Sequence, residues 1–217
     1  MKILVACEFS GRVRDAFRRG GHEAWSCDII EADKSEFSEY HIVGDVTSLL
    51  EEGNLNGWDM VIAFPPCTYL CSSGARWMYH PEDKNLPLEE RRRHPKHPDR
   101  DILKKEAIDF FMMFANCGVE KIAIENPIGF MTNEYRKPDQ IIEPYMFGEP
   151  YTKKTCLWLK GLPKLVPTKI VYPGILLPTI NNKRIPAWIS DLNKKGRVKK
   201  RSITFKGIAN AMAGQWG

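Results

Sequence analysis

Two hydrophobic periods alternate along this chain, and the points where one gives way to the other mark its elements. Lys2 to Ala6 carries Ile3, Leu4, Val5 and Ala6 in succession, as expected of a strand buried on both faces. Gly11 falls in the following turn, and Val13, Ala16 and Phe17 share one face of a helix that should reach Arg19 and stop at Gly20-Gly21. Glu23 to Cys27 reads as a second strand with Asp28 at its tip, and residues 40–46 as a third ending in Gly44-Asp45-Val46. Met60 to Phe64 is a fourth, cut off at Pro65-Pro66, where neither residue has an N–H to continue a ladder. Apolar residues from Ile102 to Ala115 follow a helical spacing, and Val119 to Ile124 is a further strand leading into Glu125-Asn126-Pro127. Leu157-Trp158-Leu159 reads as a strand, and Ile203 to Trp216 as a terminal helix packed back on the sheet. This order predicts an α/β fold with a doubly wound, mostly parallel, Rossmann-like sheet.

Two stretches break the rhythm. Residues 75–101 hold Pro81, Pro87, Pro95 and Pro98 among many charges, which suggests a lid or binding loop, or a disordered surface segment. His94 and His97 have a spacing that metals use, but the flanking prolines and the lack of a nearby cysteine pair favour a surface loop, and no metal is expected. From Gly161 to about Arg201 the chain is rich in Pro, Gly and Lys with little periodicity. The expected organisation is one catalytic unit, 1–160 with 203–217, carrying a small basic insertion at 161–202.

Composition narrows the class. With 217 residues, 43% hydrophobic and 27% charged, the chain has the make-up of one globular domain. No run of 18 apolar residues is present, so no membrane span is expected. The N-terminus leads straight into a strand pattern, and six scattered cysteines suggest reduced thiols in a cytoplasm. The net charge of +5 is modest but concentrated in Arg91-Arg92-Arg93 and in Lys194 to Lys206, a distribution suited to a polyanion.

Open α/β sheets bind ligands beyond the carboxyl ends of their strands. Three successive tips there carry Glu8, Asp28 and Asp45, the pattern of a nucleoside-binding half. Cys67 lies just past the fourth strand with Thr68, Ser72 and Ser73 around it, which fits a nucleophile or, equally, a small core thiol. Glu125 reaches the same edge on a separate strand, and two polar groups converging there suggest a site.

Taken in order, these residues resemble the cytosine-C5 DNA methyltransferase family, in particular its compact phage-type members, over almost the whole chain. Phe9-Ser10-Gly11 is similar to the first cofactor motif, with Val13 in place of its second glycine. Asp28 with Ile29, and Asp45 with Val46, match the residues that hold ribose and adenine. Pro66-Cys67 matches the nucleophile loop, preceded by Pro65 and followed by Thr68 where glutamine is commonest. Glu125-Asn126 resembles the Glu-Asn pair, Lys153 and Thr155 occupy the positions of an element that normally carries two arginines, and Gly207 to Asn210 resembles the closing Gly-Asn motif.

The resemblance implies S-adenosylmethionine as cofactor, bound by Glu8, Phe9, Ser10, Gly11, Asp28, Ile29, Asp45, Val46, Pro65, Asn210 and Ala211. It implies Cys67 as the nucleophile that adds to cytosine C6, activated by a helix N-terminus, with Glu125 acting at N3 and Asn126 orienting the loop. Double-stranded DNA is the implied partner, met by Arg76, Trp77, Arg91, Arg92, Arg93, Lys199, Lys200 and Arg201. The short interval at 161–202 implies a short recognition site, or one supplied by a separate specificity partner. Three alternatives stay open: an RNA cytosine methyltransferase, a catalytically silent nucleic-acid-binding relative, and an amino-methyltransferase. The last would need an acid or amide at Phe64 and an aromatic residue at Cys67.

Overall fold

The structure, a computed structural model, describes residues 1–51, 55–178, 184–190 and 194–217. One sheet contains β1 (Lys2–Ala6), β2 (Glu23–Asp28), β3 (His41–Val43), β4 (Met60–Ala63), β5 (Lys121–Pro127), β6 (Gln140–Ile142) and β7 (Thr155–Lys160) in the order β3-β2-β1-β4-β5-β7-β6. The first five run parallel, whereas β7 is antiparallel to both β5 and β6. This is the α/β doubly wound, mostly parallel sheet expected from the sequence. Chain order reverses between β1 and β4, so the crevice at their carboxyl ends receives both the turn after β1 and the turn after β4.

Strand pleating sorts the core into two layers. Ile3 and Val5 face the helices α1 (Arg12–Arg19) and α7 (Lys206–Trp216), against Val13, Phe17, Met212 and Trp216. Leu4 and Ala6 face the other way, toward Phe111 and Phe114 of α3 (Arg100–Ala115) and Trp158 of β7. The remaining helices are short: α2 (Thr47–Leu50), α4 (Met131–Glu134), α5 (Ala187–Ser190) and α6 (Lys194–Ser202). No helix among the described residues is long and apolar enough to cross a membrane.

Several boundaries differ from the sequence reading. The third strand is only His41–Val43, because Ser38–Tyr40 forms a 3-10 turn and Asp45 bonds the Thr47 N–H ahead of α2. β5 continues to Pro127 rather than stopping at Ile124, since β7 pairs with Glu125, Asn126 and Pro127 on its far side. β6 was not anticipated; three residues are too few to show a period. Within 161–202, Leu176–Pro178 (β8) and Arg184–Pro186 (β9) pair antiparallel and α6 carries the basic run, while 179–183 and 191–193 of that expected insertion lie outside the described residues.

The segment 72–99 is also better organised than a disordered loop. It consists of 3-10 turns at Ser72–Trp77, Pro81–Asn85 and Leu88–Glu90, closed by a bridge between Tyr79 and Arg93. Arg92 forks onto the buried Asp83 carboxylate at 2.7 and 2.9 Å and holds that acid down to about 2. His94 is buried edge-on against Trp77, with His97 beside it.

Helix α7 is anchored through its first turn, where the Gly207 N–H donates to Glu149 Oε2 at 3.0 Å. A Cβ on Gly207 would collide with the Phe147 carbonyl oxygen. Gly207→Ala should therefore lower stability by about 1–3 kcal/mol in urea unfolding, and a wild-type midpoint would contradict this packing.

Candidate active site

Beyond Ala63 the chain turns through buried Pro65 and exposed Pro66, Cys67 and Thr68. Leu70 and Cys71 each donate a backbone N–H to the Cys67 carbonyl, at 3.1 and 3.0 Å, which closes the turn. Three neighbours hold it from outside. The Asn126 amide donates to the Pro65 carbonyl at 2.8 Å. The Phe130 N–H donates to the Leu70 carbonyl at 2.8 Å, and Gly129 passes so close to Leu70 that no Cβ fits. Arg100 donates to the Thr68 carbonyl at 3.0 Å.

Glu125 and Asn126 lie side by side on β5 but point to opposite faces. Half-buried Glu125 lines a cleft with Phe64, Lys153, Thr155, Phe205 and Met212. Lys153 Nζ stands 4.0 Å from Glu125 Oε1 and donates to the Arg201 carbonyl at 2.8 Å, so the end of α6 borders the same cleft. Buried Thr155 turns its hydroxyl back to the Lys153 carbonyl. Asn126 is buried on the other side, and its Oδ1 has no hydrogen-bond partner among the described residues.

Cys67 is exposed, yet the protein around its sulfur still raises the thiol above its ordinary value. Burial is the largest cause, followed by the negative charge of Glu125 and by Cys71; Lys153 and Arg201 oppose the rise. The sequence suggested instead a thiol lowered by a helix N-terminus. No α-helix follows the turn: Ser72–Trp77 is a short 3-10 segment and the next α-helix begins at Arg100. The structure thus couples Cys67 and Glu125 electrostatically, with Lys153 as the nearby cation.

The turn after β1 is tight. Cys7 takes a left-handed conformation (φ 57°), as does Gly11 (φ 69°) at the start of α1, where a Cβ would strike the Arg14 guanidinium. Glu8 folds inward: Oε1 accepts from the Ser10 hydroxyl at 3.0 Å and the Val13 N–H at 2.9 Å, whereas Oε2 is buried without a partner among the described residues. Burial raises the Glu8 carboxyl above its usual range. Asp28 accepts from the Ile30 N–H at 3.1 Å, Ile29 beside it is 75% exposed, and Asp45 is exposed next to buried Val46. Phe9 lies under the Lys199 ammonium, which also pairs with Asp33 at 3.2 Å, so α6 lies close to this turn. On α7 the exposed Asn210 faces away from the cleft, which is met by Ile208 and Met212, while Ala211 packs in the core.

The basic residues have mixed surroundings. Arg76 is exposed and lies over Trp77. Arg92 and Arg93 are engaged by Asp83 and Asp101, and Arg91 by the Leu86 and Lys84 carbonyls. Lys200 donates to the Trp188 carbonyl. Among the described residues no group of three or more His, Cys, Asp or Glu is placed to hold a metal. Sequence reasoning missed Arg100, Gly129 and the fully buried Arg14, which bonds Asp15, Ser26 and Ser35. Nothing in the local sequence distinguishes Arg100 from the arginines that precede it; only its seat at the foot of α3 does.

No protein-family model matches the sequence, and no curated protein matches it. Among solved structures the chain is similar to a candidate DNA modification methyltransferase encoded within an E. coli prophage, at 14% identity and a TM-score of 0.45, over 89% of this chain and 56% of that one. It is also similar to a mutant DNMT2 of Spodoptera frugiperda, at 14% identity and a TM-score of 0.37, over 79% of this chain and 54% of that one. The chain spans about half the length of each.

The charge coupling has a direct readout. Removing the anion in Glu125→Gln should lower the Cys67 thiol toward its ordinary value and speed its alkylation by iodoacetamide near neutral pH several-fold. Removing the cation in Lys153→Ala should slow it. Peptide mass mapping reports both rates, and equal rates in all three proteins would show that the groups do not interact.

Proposed function

We propose that this chain is an S-adenosylmethionine-dependent methyltransferase acting on C5 of cytosine in double-stranded DNA. The observation that carries this reading is that Cys67, in the turn after β4, and Glu125, on the adjacent β5 just past its last pair with β4, stand at one sheet edge, with Asn126 bonded to the carbonyl two residues before Cys67.

The roles follow from what cytosine lacks. C5 is too weak a nucleophile to take a methyl group unaided, so a thiolate must first add at C6. Cys67, exposed at the tip of its turn, supplies the sulfur. The addition spreads negative charge to N3, where a protonated or hydrogen-bonding Glu125 carboxyl stabilises it. Lys153, within 4.0 Å of Glu125, offsets the anion that otherwise holds the thiol protonated. After methyl transfer the C5 proton leaves as the thiolate is expelled from C6, which restores the ring and the enzyme.

The β1 turn suits the cofactor on three counts. Gly11 brings backbone close without a side chain, Glu8 Oε2 is a buried acceptor without a partner among the described residues, and exposed Ile29 beside Asp28 offers an apolar surface next to an acid. Phe9, Ser10, Asp45 and Val46 complete that edge. When bound, S-adenosylmethionine would supply an electrophilic methyl group. A duplex hides the reacting atom in its stack, so the target base must be flipped out at a cost of a few kcal/mol. The segment 72–99, which follows the Cys67 turn and carries exposed Arg76 over Trp77, and the basic α6, whose end borders the cleft, suit phosphate neutralisation. The short interval 161–202 would read a short site.

Labelled methyl transfer to duplex DNA and tRNA, followed by nucleoside digestion, tests the reading. It should give 5-methylcytosine in DNA, and Cys67→Ala should lose at least about a thousandfold in rate. Methyl groups on an exocyclic amine, or on tRNA alone, would overturn it.

A further inference from the structure

We propose that Arg100 is a positioning residue for Cys67, the partner of Asn126 on the opposite side of the nucleophile turn. The assignment of Cys67 as nucleophile rests on the function proposed above, but the clamp itself rests on geometry alone.

Arg100 is the first residue of α3, and only 8% of it is exposed. Burying a guanidinium is costly unless its N–H groups are used and its charge is met. Among the described residues Arg100 has no carboxylate partner; its guanidinium donates to the Thr68 carbonyl at 3.0 Å and lies 5.1 Å from the Tyr69 ring centre. A leucine or methionine would fill the same space without that desolvation. What arginine adds is the bond to the Thr68 carbonyl, in the second peptide after Cys67.

The two side-chain donors bracket the nucleophile. Asn126 fixes the carbonyl of Pro65, two residues before Cys67, and Arg100 fixes the carbonyl of Thr68, one residue after it. With the Pro65–Pro66 and Thr68–Tyr69 peptides held by side chains, and the Cys67 carbonyl between them bonded by the Leu70 and Cys71 amides, the backbone at Cys67, and hence the direction of its Sγ, has little freedom. Gly74 makes room for the clamp: a Cβ there would collide with Arg100 Nη2 and would lie 3.3 Å from the Thr68 carbonyl. Arg100 also roots the turn in the segment 72–99, because its own N–H bonds the His97 carbonyl at 3.3 Å and the neighbouring Asp101 pairs with Arg93 at 2.7 Å. A rearrangement of that segment on a nucleic acid would therefore reach Cys67 through one side chain. Arg100 is not among the charges that set the Cys67 thiol, so its effect should be on orientation rather than on acidity.

Two variants test the clamp by different routes: Arg100→Met removes the donor, and Gly74→Ala displaces it while leaving its charge. Amide hydrogen exchange should quicken at least about tenfold at Leu70 and Cys71, the two amides that close the turn, and stay unchanged in the sheet. Iodoacetamide alkylation of Cys67, which demands no orientation, should stay within about twofold of wild type. Trapping of a 5-fluorocytosine duplex, which does demand it, should slow by up to about a hundredfold. Unchanged exchange at Leu70 and Cys71, or exchange quickened equally across the sheet, would overturn the clamp whatever the substrate proves to be. Loosened amides with an undiminished trapping rate would overturn its role at Cys67. A wild-type protein that traps no duplex refutes the proposed reaction instead, and the exchange result still decides the clamp.

Discussion

The arrangement at the sheet edge depends on one strand outlasting its neighbour. β4 ends at Ala63, paired with Ile124, and the two prolines after it can extend no ladder. β5 continues for three more residues because β7 pairs antiparallel along its other side. That overhang sets Glu125 and Asn126 alongside the turn that carries Cys67. The pleat then sends one side chain into the cleft and the other beneath the turn. Were β7 absent, the last three residues of β5 would have no partner on either side, and neither group would be held.

Around this overhang the chain fastens the turn with polar contacts rather than apolar bulk. Asn126, Arg100 and the backbone of Ile128 to Phe130 each bond a peptide group within residues 65–72. The reacting group is thereby left exposed while its support is buried, the separation that a rigid, accessible nucleophile requires. Electrostatics at the cleft pull in opposing directions: Glu125 and burial keep the thiol protonated, while Lys153 and the end of α6 work against them. Because Lys153 is bonded to the Arg201 carbonyl, the state of the cleft is tied to the position of the basic helix.

Much of this was legible in the sequence because the signals were local. Continuous apolar runs gave the parallel strands, Pro65-Pro66 gave the end of β4, and the register of polar residues after each run gave the tips. The overhang of β5 was not legible, since it is caused by pairing with a strand some thirty residues away. The thiol was misjudged for a related reason: it is raised first by burial and then by Glu125 across the sheet, and no helix N-terminus follows it to oppose them. From sequence Arg92 is expected to meet DNA and Arg100 carries no role, yet one is engaged by Asp83 and the other by the Thr68 carbonyl. Sequence shows that a charge is present, and only the fold shows what it meets.

The central claim is that one sulfur, that of Cys67, forms the bond to cytosine. It is tested most directly by digesting a trapped complex of the protein with a 5-fluorocytosine duplex and locating the nucleotide by tandem mass spectrometry. The account predicts the nucleotide on Cys67 alone. A bond at Cys71 or another thiol, or methyl transfer that proceeds with no trapped species, would contradict it.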